Sequence, residues 1–468
     1  MLIKKLAKYL LLFGSIGGII LINTKLPKKK KQTTIDLLIC NGTVLPMTQQ
    51  KDIIQNGAVA VNDGNIIAVG PMEKLKNIYK GKQNIDAQGG VILPGLINTH
   101  THAAMTLFRG LADDLPLMEW IKQYILPLEK KNVSADLVYW GTRLACCEMI
   151  KGGTTTFVDM YFFEEKVAQA AYDIGMRAIV GETIVGFPSP DSPSCKEGFE
   201  RTKLLVEKWK NNELITPAVA PHAPYTCRQN ILVAAKKFSD EHNVPLLIHL
   251  CETKDEIKQI IEKEKMRPVA YLESLGVLCN RLIAAHCIHV NNDEIKLLQQ
   301  KGVGVAHAPV SNMKLSCGIA PIYKMLQEGV LVGLGTDGAA SNNSLDMIAE
   351  MKTATLLQKV ATEKPTALPA YQALELATIK GAKAIHMDDQ IGSIELGKKA
   401  DIIIVAMDKI HQLPVYNIVS QLVYATKATD VQTVIINGKI VMTNRIMLPK
   451  DQLDKLKMKI QAFKQKMQ

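Results

Sequence analysis

Residues 91–102 read VILPGLINTHTH, an apolar run that ends in two histidines separated by a single residue. Comparable apolar runs recur further along the chain and alternate with amphipathic helical segments. Buried parallel strands have this near-continuous apolar character because helices cover both faces of their sheet. The predicted strands span residues 91–97, 155–160, 177–185, 215–220, 245–250, 281–285, 302–306 and 330–335. Eight strands with intervening helices predict an α/β fold, a (β/α)8 TIM barrel.

Short segments on both sides of this barrel read instead as antiparallel strands. They span 35–47 and 57–69 before the barrel and 400–406 and 431–442 after it. Residue pairs that favour tight hairpin turns occur at Asn41-Gly42, Asp63-Gly64 and Asn437-Gly438. We expect strands from both ends of the chain to form one small β-sandwich. The predicted organisation is a signal or anchor segment (1–31), a first sandwich part (32–90), the barrel (91–390), a second sandwich part (391–449) and a basic C-terminal helix (450–468).

The composition is that of a globular protein with one large domain and a satellite. Of 468 residues, 47% are hydrophobic and 22% are charged, which excludes general disorder and a polytopic membrane protein. The nine cysteines include the adjacent pair Cys146-Cys147 and no CxxC spacing. This pattern argues against a disulfide framework and against a zinc ribbon.

The net charge of +11 is concentrated at the two ends of the chain. Residues 1–31 contain eight lysines and no acid, and residues 450–468 contain six lysines and two aspartates, so residues 32–449 sum to −1. A nucleic-acid groove would carry its charge on the body of the protein, together with stacking aromatic residues. Aromatic residues make up only 5%, and we predict no nucleic-acid partner.

The N-terminal segment contains an apolar run, residues 9–22, with three lysines before it and five after it. The run is shorter than the ~20 residues that span a bilayer, and no convincing cleavage site follows it. The excess of lysines after the run favours a cytoplasmic body. We expect a cytoplasmic protein tethered to the inner face of the membrane by residues 9–22. Export and an extension without a targeting role stay open, as does a homo-oligomer.

Ionisable residues occur where the predicted barrel strands end. His100 and His102 alternate along a strand and therefore share one face, and His249, His286 and Asp337 end three other strands. An isolated HxH pair is equally consistent with two polar residues at a loop entry. In a barrel, however, the strand ends all open onto the catalytic face. Three of these imidazoles and the carboxylate predict one divalent ion, zinc most naturally, although Fe²⁺ or Mn²⁺ would also be accepted.

Two further residues follow strand ends. Glu252 lies three residues after His249, where a carboxylate can act as general acid and base on a water molecule at the metal. A solvated surface glutamate is the alternative. His222 follows the fourth strand between two prolines, in the segment PHAPYTC, which indicates a rigid binding loop.

Several ordered motifs resemble the amidohydrolase superfamily, and within it the 5′-methylthioadenosine/S-adenosylhomocysteine deaminases. The resemblance covers about residues 35–445, and its motifs are PGLINTHTHAAMTLFRGLADDLPLMEW (94–120), PHAPYTC (221–227), HLCET (249–253), AAHCIHV (284–290), HAPVSNMKL (307–315), GLGTDGAASNNSLDM (333–347), GSIELGKKADIIIV (392–405) and VIINGKIV (434–441). The resemblance implies one zinc ion per subunit. The ligands that it implies are His100, His102, His249 and Asp337.

The same resemblance implies roles for the other residues of the site. Glu252 would carry protons, while His286 and Asp337 would orient the attacking water. Glu129 would bind ribose hydroxyls and Trp120 would form an apolar wall. Together with Glu252, the implied substrate-binding residues include His222, which would contact the purine nucleoside.

The implied reaction is zinc-dependent hydrolytic deamination of an adenine nucleoside, with release of ammonia. Arg201 is the one cation near the end of the third strand that could hold a homocysteine carboxylate, which favours methylthioadenosine or adenosine over S-adenosylhomocysteine. Alternatives are guanine or cytosine deaminase, chloro-triazine hydrolase and, from another class, a non-catalytic binding protein on the same scaffold. Glu252 favours deamination because both the ring and the amine must be protonated. Glu129 favours a nucleoside substrate.

Overall fold

The computed structural model describes residues 32–447 and 452–467. The predicted anchor at residues 9–22 lies outside these ranges. Within them, no helix combines the length and the apolar character needed to cross a bilayer.

Strands account for both predicted parts of the fold. Those of the described residues are β1 (Thr33–Val44), β2 (Ile54–Asn62), β3 (Asn65–Pro71), β4 (Tyr79–Asp86), β5 (Val91–Pro94), β6 (Leu96–Thr101), β7 (Thr154–Tyr161), β8 (Arg177–Ile184), β9 (Ile215–Pro221), β10 (Leu246–Leu250), β11 (Leu282–His286), β12 (Gly304–His307), β13 (Leu331–Leu334), β14 (Ile402–Val405), β15 (Val431–Ile436), β16 (Lys439–Thr443) and β17 (Ile446–Met447).

Helices cover the strands and fill the connections. They are α1 (Met72–Ile78), α2 (Leu117–Glu119), α3 (Leu126–Asn132), α4 (Ala135–Lys151), α5 (Glu164–Ile174), α6 (Cys195–Trp209), α7 (Gln229–His242), α8 (Lys254–Glu264), α9 (Pro268–Ser274), α10 (Asn292–Gln300), α11 (Pro309–Lys314), α12 (Ile322–Gln327), α13 (Ala339–Asn342), α14 (Met347–Thr362), α15 (Ala370–Leu376), α16 (Ile379–Ala384), α17 (Ile418–Tyr424) and α18 (Gln452–Met467). Among the described residues, 3₁₀-helices span Ala103–Phe108, Ile410–Gln412 and Ala428–Asp430, and a π-helix spans Trp120–Ile125.

The barrel consists of β6 to β13, eight parallel strands in sequence order. Strand ladders join each neighbour to the next, but no ladder joins β13 back to β6 among the described residues. At this seam the Asn98 side-chain amide donates to Thr336 Oγ1 at 2.7 Å and accepts from the Thr336 N–H at 3.0 Å. The Asp337 N–H donates to the His100 carbonyl at 2.9 Å. These bonds span the seam of a nearly closed TIM barrel, as the sequence predicts.

The two flanks of the chain form one separate sheet, which confirms that strands from both ends associate. Its nine strands run in the order β17-β16-β15-β14-β5-β1-β2-β3, with β4 paired to β1. The sheet is mixed, because β1 runs parallel to β4 and β5 while the other pairs are antiparallel. Asp63-Gly64 and Asn437-Gly438 form two-residue hairpin turns with positive φ, as predicted.

Two local predictions differ from the structure. The run 91–97 is divided at Gly95 between the two sheets, because Pro94 has no N–H to continue a ladder and a Cβ on Gly95 would lie 2.0 Å from Thr155 Oγ1. The Asn41-Gly42 pair is a bulge inside β1 and makes no hairpin turn. Gly42 is required there, since a Cβ would lie 2.8 Å from the Gly90 carbonyl oxygen.

A buried ion pair joins the barrel to the mixed sheet. Arg177, at the start of β8, donates from Nε to Asp401 Oδ2 at 2.7 Å and from Nη2 to Asp401 Oδ1 at 3.1 Å. The Arg177 and Asp401 side chains are 1% and 3% exposed. The Asn437 N–H also donates to Asp401, and Arg177 also donates to the Glu213 carbonyl. Each charge is therefore satisfied only while the two parts of the fold stay together.

We expect Asp401→Ala to destabilise the protein by about 3–5 kcal/mol, because it leaves the Arg177 guanidinium buried without a counter-charge. Arg177→Met combined with Asp401→Leu removes both charges and should recover much of the loss. Thermal unfolding followed by circular dichroism measures both variants. An unchanged midpoint for Asp401→Ala would show that the pair does not hold the two parts together.

Candidate metal centre and active-site cavity

Four side chains from the ends of barrel strands lie close together. His100 lies in β6 and His102 directly follows it, His249 lies in β10, and Asp337 follows β13. His102 Nε2 lies 3.3 Å from His249 Nε2 and 3.3 Å from Asp337 Oδ1, and His100 Nε2 lies 3.5 Å from the same oxygen. His100, His249 and Asp337 are buried and His102 is half-buried. The structure therefore brings together the four residues that the sequence predicts as ligands.

Hydrogen bonds from Nδ1 orient two imidazoles of this cluster. His102 Nδ1 donates to the Met160 carbonyl at 2.6 Å, and His249 Nδ1 donates to the His222 carbonyl at 2.8 Å. In a neutral ring the proton on Nδ1 leaves a lone pair on Nε2. If both rings are in this form, the two Nε2 lone pairs lie across 3.3 Å from each other. His100 Nε2 is also buried, and apart from Asp337 Oδ1 at 3.5 Å it has no polar partner in the described part of the chain.

The three distances between these ligand atoms fit the spacing around one tetrahedral ion. Zinc binds histidine nitrogen at about 2.0–2.1 Å, so tetrahedral ligand atoms lie roughly 3.3 Å apart. Burial lowers the pKa of His100 to about 4 and holds the pKa of His249 well below its usual value. Both imidazoles are therefore neutral, which is the form that binds a metal. Facing lone pairs in a buried site would repel each other without a cation between them.

Asp337 presents only one oxygen to the imidazoles. Its Oδ2 accepts from Ser311 Oγ at 2.6 Å and from Ser341 Oγ at 3.0 Å, while Oδ1 accepts from the Gly338 N–H at 2.7 Å. Burial alone would raise the pKa of this carboxyl group, but His100 holds the pKa well below the usual range. Asp337 is therefore an ionised carboxylate with a fixed direction, as outer-shell hydrogen bonds commonly provide at metal sites.

Glu252 and His286 lie beside the cluster. Glu252 Oε1 is 3.8 Å from His286 Nε2, and the Cys317 thiol is 3.9 Å from the same oxygen. His286 Nδ1 donates to Asn312 Oδ1 at 2.9 Å, which fixes the ring. Burial raises the pKa of Glu252, so its carboxyl group is closer to exchanging protons at neutral pH than an exposed glutamate.

A cavity of about 330 Å³ opens onto this cluster. Glu129 lines it, and Glu129 Oε1 accepts from the Tyr161 hydroxyl at 2.7 Å. Burial raises the pKa of Glu129 to about 7. Trp120 lines the same cavity at the start of the π-helix, and His222 lines it with Nδ1 2.9 Å from Thr226 Oγ1. All three predicted substrate contacts that accompany Glu252 therefore face one cavity.

Arg201 is excluded from this cavity by its own ion pairs. Its Nε lies 3.4 Å from Glu182 Oε1 and 3.3 Å from Asp191 Oδ2, and its guanidinium lies over the Phe163 ring. Arg201 is not among the lining residues, whereas the exposed Lys122 is. Arg201, which the sequence predicts as a partner of a substrate carboxylate, is therefore paired with the buried side chains of Glu182 and Asp191.

Sequence reasoning missed the residues that hold the site residues in place. Tyr161 directly follows the predicted strand 155–160, and this position alone could have identified it. Ser311 and Asn312 lie in the motif HAPVSNMKL, but their link to Asp337 and His286 depends on how α11 packs against the barrel. Long-range contacts of this kind leave no local pattern in the chain.

The comparisons with known proteins agree with this geometry. A model described as the amidohydrolase family matches residues 91–441. The chain belongs to the amidohydrolase family and is a metal-dependent hydrolase that acts on carbon–nitrogen bonds.

Individual proteins and solved structures are also similar to this chain. A protein of Syntrophobacter fumaroxidans named 5-methylthioadenosine/S-adenosylhomocysteine deaminase is 51% identical over 413 residues, 88% of this chain and 94% of that protein. The structure of a zinc-bound adenosine deaminase from Xanthomonas campestris matches with a TM-score of 0.92 and 37% identity, over 93% of this chain and 99% of that one. Zinc-complexed atrazine chlorohydrolase from Arthrobacter aurescens, 22% identical, matches with a TM-score of 0.85 over 91% and 99% of the chains and shares the fold.

We expect the purified protein to bind one zinc ion per chain, and His249→Ala to lower that stoichiometry sharply because it removes a ligand atom from the cluster. His242→Ala is the matched control, since His242 is exposed at the end of α7 and contacts the Phe238 ring. Elemental analysis after dialysis against a weak chelator gives the metal content. Full retention of zinc by His249→Ala would contradict the proposed ligand set.

Proposed function

We propose that this protein is a zinc-dependent deaminase of adenine nucleosides, which converts 5′-methylthioadenosine, S-adenosylhomocysteine or adenosine to the inosine analogue and ammonia. The 51% identical relative is named for the first two of these substrates, and the 37% identical structure is named for adenosine. A small-molecule substrate fits the cavity of about 330 Å³, which lies within the usual range for ligand pockets.

The single observation that carries this proposal is the placement of two carboxyl groups in one apolar cavity. Glu252 lies beside His286 and the cluster, and Glu129 is held at another wall by Tyr161. A nucleoside needs recognition at two points, its base and its ribose. Glu252 exchanges protons with the adenine ring, and Glu129 accepts hydrogen bonds from the ribose hydroxyl groups.

His100, His102, His249 and Asp337 would hold the zinc ion. When bound, the ion would act as a Lewis acid and lower the pKa of a water molecule enough to give hydroxide near neutral pH. Fe²⁺ or Mn²⁺ would suit the same donor atoms.

The remaining residues move protons and fix positions. Glu252 accepts a proton from the attacking water and delivers it to N1 of the adenine ring, which makes C6 electrophilic. His286 and Asp337 hold the attacking oxygen in line with C6. The hydroxyl proton of the oxygen added to C6 then passes through Glu252 to the amino group, which leaves as ammonia as the C6 carbonyl forms. The ring that remains is the inosine type, so every atom of the water molecule is accounted for.

The substituent at the 5′ position should be neutral. Arg201 pairs with Glu182 and Asp191, and the cation that lines the cavity is Lys122, an exposed residue of the π-helix. A thioether can pack against apolar lining residues such as Val185 without a counter-charge. A homocysteine tail would depend on the solvated Lys122, and exposed ion pairs contribute little. We therefore favour methylthioadenosine over S-adenosylhomocysteine.

The location of the protein remains a prediction from the sequence. Residues 9–22 and their flanking lysines would tether a cytoplasmic body to an anionic membrane surface, with export as the alternative. A homo-oligomer also remains open.

We expect the zinc-loaded protein to release ammonia from methylthioadenosine, with loss of absorbance near the adenine maximum. Glu252→Gln should lower kcat by at least about 10²-fold, because general acid–base catalysis commonly contributes that much, while the variant keeps its zinc. A panel with S-adenosylhomocysteine, adenosine, guanine, cytosine and a chloro-triazine separates the alternatives. Absence of ammonia from every adenine nucleoside, with zinc confirmed bound, would overturn the proposal.

We also expect Lys122→Gln to lower the ratio of kcat/KM for S-adenosylhomocysteine to that for methylthioadenosine by about two- to fivefold, the size of an exposed ion pair. Arg201→Gln should leave this ratio unchanged. The ratio is insensitive to the fraction of folded enzyme, so any destabilisation by Arg201→Gln does not obscure the result. A selective loss of S-adenosylhomocysteine turnover in Arg201→Gln would show that Arg201 binds the substrate tail.

A further inference from the structure

The turn that carries Glu252 has an unusual backbone. Cys251 follows β10 directly and adopts a φ of +55°, in the left-handed region that non-glycine residues seldom occupy. The Cys251 carbonyl accepts from the Ile288 N–H at 3.0 Å and the His289 N–H at 2.9 Å, so that side of the turn is tied to the loop after β11. This conformation persists only where the surroundings fix it.

The other side of the turn is held by Glu256. Its Oε1 accepts from the Cys251 N–H at 2.9 Å, and its Oε2 accepts from the Glu252 N–H at 2.7 Å. The Glu256 residue is 2% exposed. Both oxygens of a buried carboxyl group are thus used on the two successive peptide groups that set the direction of the Glu252 side chain.

These bonds differ from ordinary helix capping. In a capping box the third helical residue accepts from the backbone of the cap residue itself. Glu294 does this on α10, where it accepts from the Asn291 N–H at 2.8 Å. Glu256 occupies the same position on α8 but reaches past the cap residue, Thr253, to the two residues before it. The Thr253 hydroxyl caps α8 independently, accepting from the Glu256 N–H at 3.1 Å.

We propose that Glu256 is a positioning residue for catalysis, which holds the Glu252 carboxyl group at the distance from His286 and the metal cluster that proton transfer requires. This proposal rests on the proposed function, in which Glu252 carries the protons. Loss of the two bonds would free the turn to relax from its left-handed conformation and would move the Glu252 side chain. A displacement of about 1 Å at a reacting group can cost on the order of 10²-fold in rate.

The test compares Glu256→Leu, Glu256→Gln and the control Thr253→Val in the full-length, zinc-loaded enzyme. Thr253→Val removes the cap of the same helix but leaves both bonds to the turn. For each variant, kcat and KM for methylthioadenosine, zinc content and thermal unfolding are measured. We expect Glu256→Leu to lower kcat by about 10- to 100-fold with KM within about twofold and one zinc retained. Glu256→Gln keeps one acceptor oxygen and should recover part of kcat.

Several results would overturn the proposal. One is a kcat for Glu256→Leu within twofold of the unmodified enzyme, and another is an equal loss of kcat in Thr253→Val, which would assign the effect to helix capping. If Glu256→Leu does not fold, Glu256→Gln is used in its place, and a kcat within twofold of that of the unmodified enzyme would overturn the proposal. Turnover of the unmodified enzyme distinguishes a failure of the proposed function from a failure of the proposed role of Glu256. No turnover of any nucleoside defeats the proposed function and this inference together, whereas normal turnover with unaffected Glu256 variants defeats this inference alone.

Discussion

The close approach of His102 Nε2 and His249 Nε2 is the constraint on which the rest of the site depends. The Nδ1 atoms of the two rings face the Met160 and His222 carbonyl groups, so in neutral rings the two Nε2 lone pairs lie 3.3 Å apart. Such an arrangement is stable when a cation lies between the two atoms. The strand ends meet at one rim. The Asp337 carboxylate, held by two hydroxyl groups, and the buried Glu252 carboxyl group lie around the same site.

The cluster of His100, His102, His249 and Asp337 also lies at the seam of the barrel. Strands β6 and β13 share no ladder in the described ranges, and the bonds of Asn98 to Thr336 and of Asp337 to His100 span the gap. A metal ion held by residues of both strands would add a further cross-link at this seam. Binding of the ion and stability of the barrel are therefore expected to be coupled.

Much of the fold and of the site could be predicted because the signals are local. Apolar runs ending in ionisable residues indicate both the barrel strands and the positions of His249 and Asp337. The division of the run 91–97 at Gly95 leaves no break in the apolar pattern, and the structure shows that Pro94 ends one ladder while Thr155 lies where a Cβ on Gly95 would be. The sequence predicts Arg201 as a substrate-binding cation because it does not show the ion pairs of Arg201 with Glu182 and Asp191.

The sequence by itself determined the order of strands, the donor atoms at their ends and the family of the protein. These properties depend on residue type and on spacing along the chain, both of which can be read from the sequence. Only the tertiary structure decided which groups hold those residues in place: Tyr161 on Glu129, Ser311 on Asp337 and Glu256 beneath the turn of Glu252. The reason is physical, because a hydrogen bond depends on distances of about 3 Å between atoms that packing brings together, wherever they lie along the chain.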